Sequence, residues 1–422
     1  MCTSTNQQKT VIPDMLSVKE AQEFIQTSLI NIAKNVEQIP LTEALDRVLA
    51  ENICAGISVP GFDSAAMDGY AFHIDSDTSS ELTLKVVGHA YAGHPYTGHL
   101  AVNECIQIMT GAVVPEQCNT LIQQENIQPI NNEYIRISGQ EISAGINIRK
   151  KGENILKGKC ILRAGTKLKP QDLGLLSSIG QTDVTVFKKI TVAVFSTGDE
   201  LCALGSPLEV GKIYDSNRII LLNMLKQMGC QTIDMGIIED NPEILERSLK
   251  ETAPIADMIL TSGGVSVGEA DYTKQVMAKL GAIHFWAIKM RPGRPLAFGS
   301  IQTGERCTLL FGLPGNPVAA MISFLFFVRN TLETLMGITP APLRFFKAIS
   351  TADIPKKKGR TEFQRGILCM QENKLSVSLT GNQGSGIIQS MSDADCIIQL
   401  NENQGNVKKG ETVDVILLKM LH

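Results

Sequence analysis

Between residues 190 and 337 the chain alternates between short apolar runs and amphipathic segments. The apolar runs have the length of buried strands, and the amphipathic segments repeat apolar residues at helical spacing. Strands that are apolar throughout and alternate with helices are typical of a parallel sheet covered on both faces. The predicted strands are TVAVFS, QTIDMGII, ADMILTS, AIHFWAIK and CTLLFGL, and the predicted helices lie near 216–228, 242–252, 271–280 and 317–335.

The segments on either side have different patterns. Residues 16–34 place Ser17 three positions before Glu20, a capping pattern, and continue with helical apolar spacing. A second helix-like segment covers 41–49. From 82 to 137, short β-prone runs separated by Gly, Pro and Asn predict a small inserted β domain, and a β pattern returns after Pro340.

We therefore expect a multidomain α/β protein with four parts. A helical linking domain is predicted from 10–45 and 145–180, because the two ends of an insertion have to lie close together. The inserted β domain covers 46–144, the α/β domain with the parallel sheet covers 181–338, and a C-terminal β-barrel-like domain covers 339–422.

Three loops follow predicted strands of the sheet: STGDEL, TSGGVSVGEAD and GLPGNP. Ligands of such sheets bind beyond the C-terminal ends of the strands. In the second loop, glycines free backbone N–H groups for an anion, serines add hydroxyl donors, and carboxylates suit a phosphate held with a divalent cation. These residues are Ser262, Gly263, Gly264, Ser266, Gly268, Glu269 and Asp271. A glycine-rich turn with an acidic helix cap explains this run equally well.

Two further loops carry candidate anion-binding groups. In GLPGNP, which contains Pro314 and Gly315, Asn316 is placed as an N-cap and Pro317 as the first helical residue. This leaves free N–H groups at the cleft, although it is also the pattern of any helix start. The loop KMRPGRP carries Lys289, Arg291 and Arg294 between prolines and glycine. Three cations on a short stiff loop suit a small oxyanion, and a solvated turn is the alternative.

Composition narrows the classes of partner. The net charge of −4 argues against a general binder of nucleic acid or of membrane surfaces. No apolar run approaches the roughly 20 residues of a membrane span, and the N-terminus has no signal-peptide pattern, so we expect a cytoplasmic protein. The ten cysteines include no CxxC pair, and we expect neither disulfides nor a zinc site.

Eight motifs occur along the chain in one order. They are FDSAAMDGYA (62–71), IMTGAVVP (108–115), STGDEL (196–201), YDSN (214–217), TSGGVSVGEAD (261–271), RPGRP (291–295), LPGNPV (313–318) and TGNQGSG (380–386). With these motifs the chain resembles the MoeA family of molybdopterin molybdenumtransferases, which includes the E domain of gephyrin and its plant counterpart. The likeness runs from about Leu16 to the C-terminus, and an ordered set is far more specific than a single motif.

The resemblance implies an elongated homodimer whose α/β domain binds molybdopterin. The implied reaction takes adenylylated molybdopterin and molybdate, cleaves the pyrophosphate bond with the help of Mg²⁺, and releases AMP. Implied partners are the molybdopterin adenylyltransferase and downstream cofactor carriers or apo-molybdoenzymes. Asp215 and Asp271 match carboxylates that would hold Mg²⁺. Glu200 and Asp240 match acidic positions that would provide a second contact to the metal or position water.

The resemblance also assigns the substrate-binding residues. The loop at 262–268, with Ser216 and Asn217 of YDSN, would hold the pterin or the phosphates. Arg291 and Arg294 stand where the family often has lysines and would hold molybdate, joined by Ser385 or Ser390 and by Arg360 or Arg365. In such dimers, residues matching Asp63, Asp68 and Thr110 face the cleft of the other subunit.

The chain departs from the family pattern in a few places. Asn154 replaces a usual Asp, Ala65 replaces a usual Ser, and ADC at 394–396 replaces Ala-Asn-Gly. Two alternatives to the molybdenum insertase stay open. One is an ATP-dependent molybdopterin adenylyltransferase, and the other is a non-enzymatic molybdopterin-binding scaffold.

Overall fold

The computed structural model describes residues 15–30, 32, 34–139, 141–264, 272–340 and 342–420. The described helices are α1 (Val18–Ser28), α2 (Pro170–Ser178), α3 (Ser216–Gln227), α4 (Pro242–Thr252), α5 (Tyr272–Leu280), α6 (Pro317–Ser323), α7 (Arg329–Leu335) and α8 (Gln389–Ser392). A π-helical segment, Phe324–Val328, joins α6 to α7 in one continuous helix.

The described strands fall into three groups along the chain. The first group is β1 (Met15–Leu16), β2 (Val36–Pro40), β3 (Ile53–Cys54), β4 (Ser64–Ala65), β5 (Gly69–Phe72), β6 (Leu82–Ala90), β7 (Glu104–Ile108), β8 (Thr120–Gln123), β9 (Gln128–Pro129), β10 (Tyr134–Ile137), β11 (Ile148–Arg149) and β12 (Cys160–Leu162). The second is β13 (Asp183–Phe187), β14 (Thr191–Thr197), β15 (Leu201–Cys202), β16 (Ile213–Tyr214), β17 (Gln231–Ile238), β18 (Met258–Ser262), β19 (Ala282–Ile288), β20 (Met290–Arg291), β21 (Pro295–Thr303) and β22 (Arg306–Leu313). The third is β23 (Phe346–Ser350), β24 (Thr361–Gln371), β25 (Lys374–Leu379), β26 (Cys396–Leu400) and β27 (Thr412–Leu417).

The chain divides into two compact units. The larger unit contains residues up to 37, residues 46–50 and residues from 185 onward, and the smaller unit contains 38–45 and 51–184. All three strand-end loops singled out in the sequence belong to the larger unit. Its geometry therefore determines the candidate site.

A seven-stranded sheet forms the centre of the larger unit, in the order β1-β19-β21-β22-β18-β14-β17. The pairings β22–β18, β18–β14 and β14–β17 are parallel, as the alternating pattern predicted. Strand β21 was not predicted, and it runs antiparallel to both β19 and β22. It forms a hairpin with β22 through Gly304 and Glu305, so a local turn rather than a crossover helix joins them.

Both faces of this sheet are buried. Along β14, Val192 and Val194 pack in one apolar cluster with α3 and α6, whereas Ala193 and Phe195 pack in another with α4 and α5. Each of these four residues has no exposed side-chain surface. Burial on both faces explains why the strands read as continuous apolar runs, without the polar alternation of a half-exposed strand.

Helix α1 begins where the sequence predicted and ends earlier. The Glu20 backbone N–H donates to Ser17 Oγ, and the Glu20 carboxylate accepts from the Ser17 backbone N–H at 2.7 Å. The helix ends at Ser28 instead of near residue 34. The helix predicted over 41–49 was wrong. Only Leu41–Glu43 forms a turn of 3₁₀ helix, and Asp46 then adopts a φ of 62°, which an α-helix cannot continue through.

The C-terminal strands close into a small barrel. The sheet order is β20-β24-β25-β23-β27-β26, and the additional pairing of β24 with β26 closes a ring of five strands. The prediction of a β-barrel-like C-terminal part is confirmed. Short strand β20, which begins the RPGRP loop, pairs with β24 of this barrel. This loop therefore lies between the α/β sheet and the barrel.

In the smaller unit, the β-prone runs of 82–137 form strands. A six-stranded sheet has the order β8-β5-β7-β6-β10-β9, and the short pairs β3–β12 and β4–β11 accompany it. The prediction of a β-rich insertion is confirmed in this respect.

One helix in the described part of the chain, Pro317–Leu335, is long and apolar enough to cross a membrane. However, 78% of its most apolar window is buried inside the larger unit, as expected of the core helix of a folded domain.

Candidate functional site

A cleft of about 1050 Å³ opens at the C-terminal ends of the parallel strands in the larger unit. Its lining comes from STGDEL after β14, from the described part of the glycine-rich loop after β18, and from LPGNP after β22. The loops RPGRP and TGNQGSG complete it from the side of the barrel. Tyr214 and Ser216 of YDSN line it as well, so six of the eight ordered motifs meet in one cavity.

Backbone crowding explains the glycine at the end of β18. Gly263 has a φ of 92°, and a Cβ atom at this position would lie 2.6 Å from the Thr197 carbonyl oxygen. Its N–H donates to the Leu313 carbonyl oxygen at 3.1 Å, and Gly264 continues with a φ of 64°. Any side chain at 263 would push the ends of β14 and β18 apart. The remaining predicted residues of this loop, Ser266, Gly268, Glu269 and Asp271, lie outside the described residues.

The Asn217 side chain connects three of the loops. Its Nδ2 atom donates to Ser262 Oγ and to the Gly315 carbonyl oxygen, each at 2.7 Å. Its Oδ1 atom is buried without a hydrogen-bond partner in the described part of the chain, as is the Thr197 hydroxyl. Both residues line a cavity of about 60 Å³ beneath the main cleft. An unpartnered buried acceptor beside an unpartnered hydroxyl is typical of a place that a ligand or water completes.

Asp215 is engaged in internal contacts. It is 1% exposed, and its Oδ1 atom accepts from Ser196 Oγ at 3.0 Å and from the Arg218 backbone N–H at 3.2 Å, which makes it the N-cap of α3. Its Oδ2 atom accepts from Arg218 Nε at 3.0 Å. The Arg218 guanidinium thus compensates the negative charge of the Asp215 carboxylate. Asp215 thus caps α3 and pairs with Arg218, and the metal-ligand role that the resemblance implied stays a prediction.

Three other carboxylates gather at the acidic rim of the cleft, which we define as Asp199, Glu200 and Asp240. Glu200 and Asp240 line the cavity. Partial burial raises the pKa of Asp240, and the negative charges of Asp199 and Glu200 raise it further. No lysine or arginine in the described part of the chain forms an ion pair with these side chains. The described residues contain no group of three or more side chains arranged to hold a metal, so the rim supplies only part of a coordination shell.

The cleft also has cationic lining residues. Arg291 and Arg294 line it from the RPGRP loop. Arg365, on β24, is 1% exposed and donates from Nε to Ser390 Oγ and from Nη2 to the Gly384 carbonyl oxygen, each at 3.1 Å. Burial lowers the pKa of Arg365 to about 10, and the charge of Arg291 adds to this shift. Arg291 and Arg365 also line a neighbouring pocket of about 240 Å³.

These contacts separate alternatives that the sequence left open. Arg365 pairs with Ser390, whereas Arg360 is half-buried and forms an ion pair with Glu362 at 3.4 Å. Ser385 instead accepts from Asn316 Nδ2 at 3.0 Å. Lys289 pairs with Glu402 at 3.9 Å and does not line the described cleft.

The N-terminus of helix α6 has no side-chain capping hydrogen bond. Pro317 is its first residue, as predicted, and Asn316 occupies the N-cap position without a capping hydrogen bond. The Val318 N–H donates to the Ser385 carbonyl oxygen at 3.0 Å. Pro314, Gly315 and Ser216, the first residue of α3, line the cavity beside it. Two helix N-termini therefore meet at the cleft, and their dipoles favour an anion there.

Sequence reasoning missed two residues of this site. The Arg365 N–H donates to Gln383 Oε1 at 2.8 Å, and Gln383 Nε2 donates to the Arg365 carbonyl oxygen at 3.2 Å. Gln383 thereby fixes the strand that carries Arg365. Thr197, with its unpartnered hydroxyl, is the second. Both lie inside quoted motifs, TGNQGSG and STGDEL, and position within these motifs was the only available signal.

The predicted acidic residues of the smaller unit are paired within that unit. Asp68 Oδ1 accepts from Thr110 Oγ1 at 2.6 Å and from its backbone N–H at 2.7 Å, and these bonds lower the pKa of Asp68. Asp63 accepts from Lys150 Nζ at 2.9 Å and from the Lys151 N–H at 2.8 Å, which lowers its pKa in the same way. Both carboxylates are thus held ionised in fixed orientations.

An α/β sheet with a glycine cradle and two helix N-termini at its strand ends, facing arginines and an acidic rim, defines a binding protein or enzyme for anionic small molecules. Three family models match the chain: the MoeA N-terminal region (domain I and II) at 16–180, a probable molybdopterin binding domain at 193–334, and the MoeA C-terminal region (domain IV) at 347–418. The chain belongs to the MoeA family.

Relatives of known name agree with this assignment. The chain is 39% identical to the molybdopterin molybdenumtransferase of Haemophilus influenzae, with 91% of this chain and 96% of that protein covered. It is 33% identical to the Bacillus subtilis protein of the same name, with 91% and 90% covered. Among solved structures, the molybdopterin biosynthesis moeA protein of Pyrococcus horikoshii OT3 matches with a TM-score of 0.79 and 28% identity, covering 96% of this chain and 100% of that one.

The first prediction concerns the amide of Asn217. Asn217→Asp replaces two donated hydrogen bonds with a carboxylate that faces the Gly315 carbonyl oxygen. We expect the free energy of unfolding of the larger unit to fall by about 1–3 kcal/mol at pH 8. The deficit should shrink as the pH falls, because a protonated carboxyl regains one donor. Urea denaturation followed by fluorescence of Trp286, in strand β19, measures both effects.

The matched control is Asn223→Ala on the same helix. Asn223 Nδ2 donates only to the exposed Ile219 carbonyl oxygen, and this change should stay within about 0.5 kcal/mol of the parent protein. Equal losses in both variants would contradict the connecting role of Asn217.

The second prediction concerns the acidic rim. The folded pKa of Asp240 is raised above its ordinary value of 3.8, so the ionised carboxylate destabilises the fold wherever the pH exceeds the folded pKa. Asp240→Asn should therefore raise the thermal midpoint at pH 7.5 in the absence of divalent cations. This gain should disappear as the pH falls through the raised pKa toward 3.8. Glu239→Gln, on the exposed neighbouring residue, should show no such dependence, and a lower midpoint for Asp240→Asn at pH 7.5 would contradict the prediction.

Proposed function

We propose that this protein is a molybdopterin molybdenumtransferase that inserts molybdate into adenylylated molybdopterin and releases AMP. The observation that carries the proposal is the single cleft in which the glycine cradle, the paired arginines and the acidic rim lie together. The reaction has two anionic reactants, a substrate with a pyrophosphate bond and a small oxyanion. It therefore needs two neighbouring binding regions, and the glycine cradle and the arginines supply them. Membership of the MoeA family and the names of the relatives support the same reaction.

The phosphates of the substrate are proposed to lie at the strand ends. Backbone N–H groups after β18, together with the N-termini of α3 and α6, offer donors to phosphate oxygens without a net protein charge. Asn217 holds Ser262 and Gly315 at their present separation, so the donors need no rearrangement when the substrate binds. The Asn217 Oδ1 atom and the Thr197 hydroxyl, which have no partner among the described residues, would complete their hydrogen bonds with the substrate or with a water molecule.

Molybdate is proposed to bind between the RPGRP loop and the barrel. Arg291, Arg294 and Arg365 surround this region, and Ser390 orients the Arg365 guanidinium. The guanidinium donors suit the oxygens of a tetrahedral dianion, and the dianion would remove the repulsion between Arg291 and Arg365 that contributes to the lowered pKa of Arg365. Pro292 and Gly293 are buried in this loop, whereas Arg291 and Arg294 on either side of them are exposed.

The acidic rim is proposed to serve the cleavage step. Cleavage of the P–O–P bond adds the elements of water, so a proton has to leave the attacking water. Asp240, with a raised pKa, is the described carboxylate best suited to accept it, and Glu200 lines the same cavity. Glu200 fits a Mg²⁺ ion better than Asp215 does, because none of the described guanidinium groups pairs with its oxygens. When bound there, Mg²⁺ would neutralise phosphate charge.

Further expectations remain proposals. Asp271, as a second metal ligand, and Ser266 and Gly268, as donors, would extend the same loop. Asp63, Asp68 and Thr110 would act toward the cleft of the other subunit in a homodimer. We also propose a cytoplasmic location, the four-part domain division given above, and the molybdopterin adenylyltransferase and apo-molybdoenzymes as partners. A general nucleic-acid or membrane partner is not expected at a net charge of −4.

The third prediction tests the reaction. Incubation with adenylylated molybdopterin, molybdate and Mg²⁺ should release AMP in step with formation of a molybdenum-containing product, as followed by chromatography. Omission of molybdate or Mg²⁺ should reduce the rate. Consumption of ATP with metal-free molybdopterin would instead identify an adenylyltransferase. Binding without turnover in either assay, by folded protein, would favour a scaffold.

The fourth prediction distinguishes Arg365 from Arg360. Arg365→Lys keeps a positive charge and loses the fork geometry, so the KM for molybdate should rise by about tenfold or more. Arg360→Lys should leave this KM nearly unchanged, because the Arg360 side chain is paired with Glu362. Thermal midpoints of both variants control for folding. A larger effect at Arg360 would overturn the proposed placement of molybdate.

A further inference from the structure

Two exposed cysteines face each other across strands β3 and β12 of the smaller unit. Cys54 and Cys160 are direct register partners in this antiparallel pair. The Ala55 N–H donates to the Lys159 carbonyl oxygen at 2.9 Å, so the two cysteines occupy the adjacent non-hydrogen-bonded position. At such positions the Cα atoms lie about 4.5 Å apart and the side chains project from the same face of the strands.

The two thiols also interact with each other. Desolvation by neighbouring atoms raises the pKa of the exposed Cys54, and the charge of Cys160 and a hydrogen bond with it raise this pKa further. Disulfides in proteins span Cα separations from about 4.4 to 6.8 Å. A bond between these sulfur atoms therefore requires little movement of the backbone.

We propose that Cys54 and Cys160 form a reversible disulfide, with a low-molecular-weight disulfide of the glutathione type as the oxidant. One cysteine thiolate attacks this disulfide, which forms a mixed disulfide and expels one thiolate. The other cysteine then attacks the protein sulfur of the mixed disulfide and expels the second thiolate. The two protein thiols lose two protons and two electrons, and the oxidant is reduced to two thiols.

The position of the pair gives the bond a structural consequence. Strands β3 and β12 bound residues 55–159, which include the entire six-stranded sheet of the smaller unit. A Cys54–Cys160 bond would close this segment into a loop and restrict its unfolded state. The reduced pair is the resting form in a reducing compartment, in agreement with the composition. The disulfide would form when low-molecular-weight disulfide accumulates.

The other described cysteines provide internal comparisons. Cys105, Cys118, Cys230 and Cys396 are buried, and burial raises the pKa of each to about 12, which leaves them unreactive. Cys369 is exposed like Cys54, but its register partner is Ser376. It can accept glutathione and has no cross-strand thiol to displace it, which makes it a matched control.

The test is treatment of the full chain with oxidised glutathione, followed by alkylation, digestion and mass spectrometry. We expect a Cys54–Cys160 linked peptide that dithiothreitol removes, and retained glutathione at Cys369. Cys160→Ser should abolish the link and trap glutathione on Cys54, and Cys54→Ser should trap it on Cys160. The linked protein should unfold at a higher temperature than its reduced form, and neither serine variant should gain stability from the oxidant.

Several results would overturn the proposal. These are stable glutathione on both Cys54 and Cys160 of the parent protein, bonds between Cys54 or Cys160 of different copies, or modification of Cys369 alone. Equal unfolding temperatures for the linked and reduced proteins would overturn the proposed stabilisation of residues 55–159 by the disulfide.

Discussion

The side-chain amide of Asn217 holds the cleft together. It sits at the start of α3 and donates two short hydrogen bonds, one to the loop after β18 and one to the loop after β22. Each parallel strand ends in a loop with its own sequence, and the pairing of β14, β18 and β22 brings these ends to the same edge of the sheet. Strand pairing alone does not fix the loops relative to one another. One buried amide with two donors does this, and the backbone N–H groups of the cradle depend on its geometry.

The acidic and the basic groups of the cleft come from different structural elements. The acidic rim comes from loops that follow β14 and β17, whereas the arginines come from the RPGRP loop and from barrel strand β24. Each group is unfavourable in the absence of ligand. Partial burial and then the charges of Asp199 and Glu200 raise the pKa of Asp240, and burial and then the charge of Arg291 lower the pKa of Arg365. A cation bound at the rim and a dianion bound at the arginines would each reduce the repulsion between these like charges, which would favour the binding of both ligands.

Much of the fold was predictable because local patterns coincide with long-range packing. Helices α3 and α4 begin and end within a residue of the predicted ranges, since Asp215 and Asn241 cap them and their apolar faces are periodic. The helix over 41–49 failed because apolar spacing cannot reveal a positive φ at Asp46. Strand β21 was not predicted because it directly follows the KMRPGRP loop, which was interpreted only as a candidate anion-binding loop. The reversal of its direction depends on the two-residue turn at Gly304.

The sequence by itself determined the class of fold, the loops that carry the chemistry and, through eight ordered motifs, the family. Only the tertiary structure decided which side chains act together. It paired Arg365 with Ser390, Ser385 with Asn316, and Asp215 with Arg218. It also set Cys54 opposite Cys160, more than a hundred positions apart in sequence. Spacing along the chain reports only neighbours within a helix or strand, whereas contacts between distant loops follow from how sheet, helices and barrel pack.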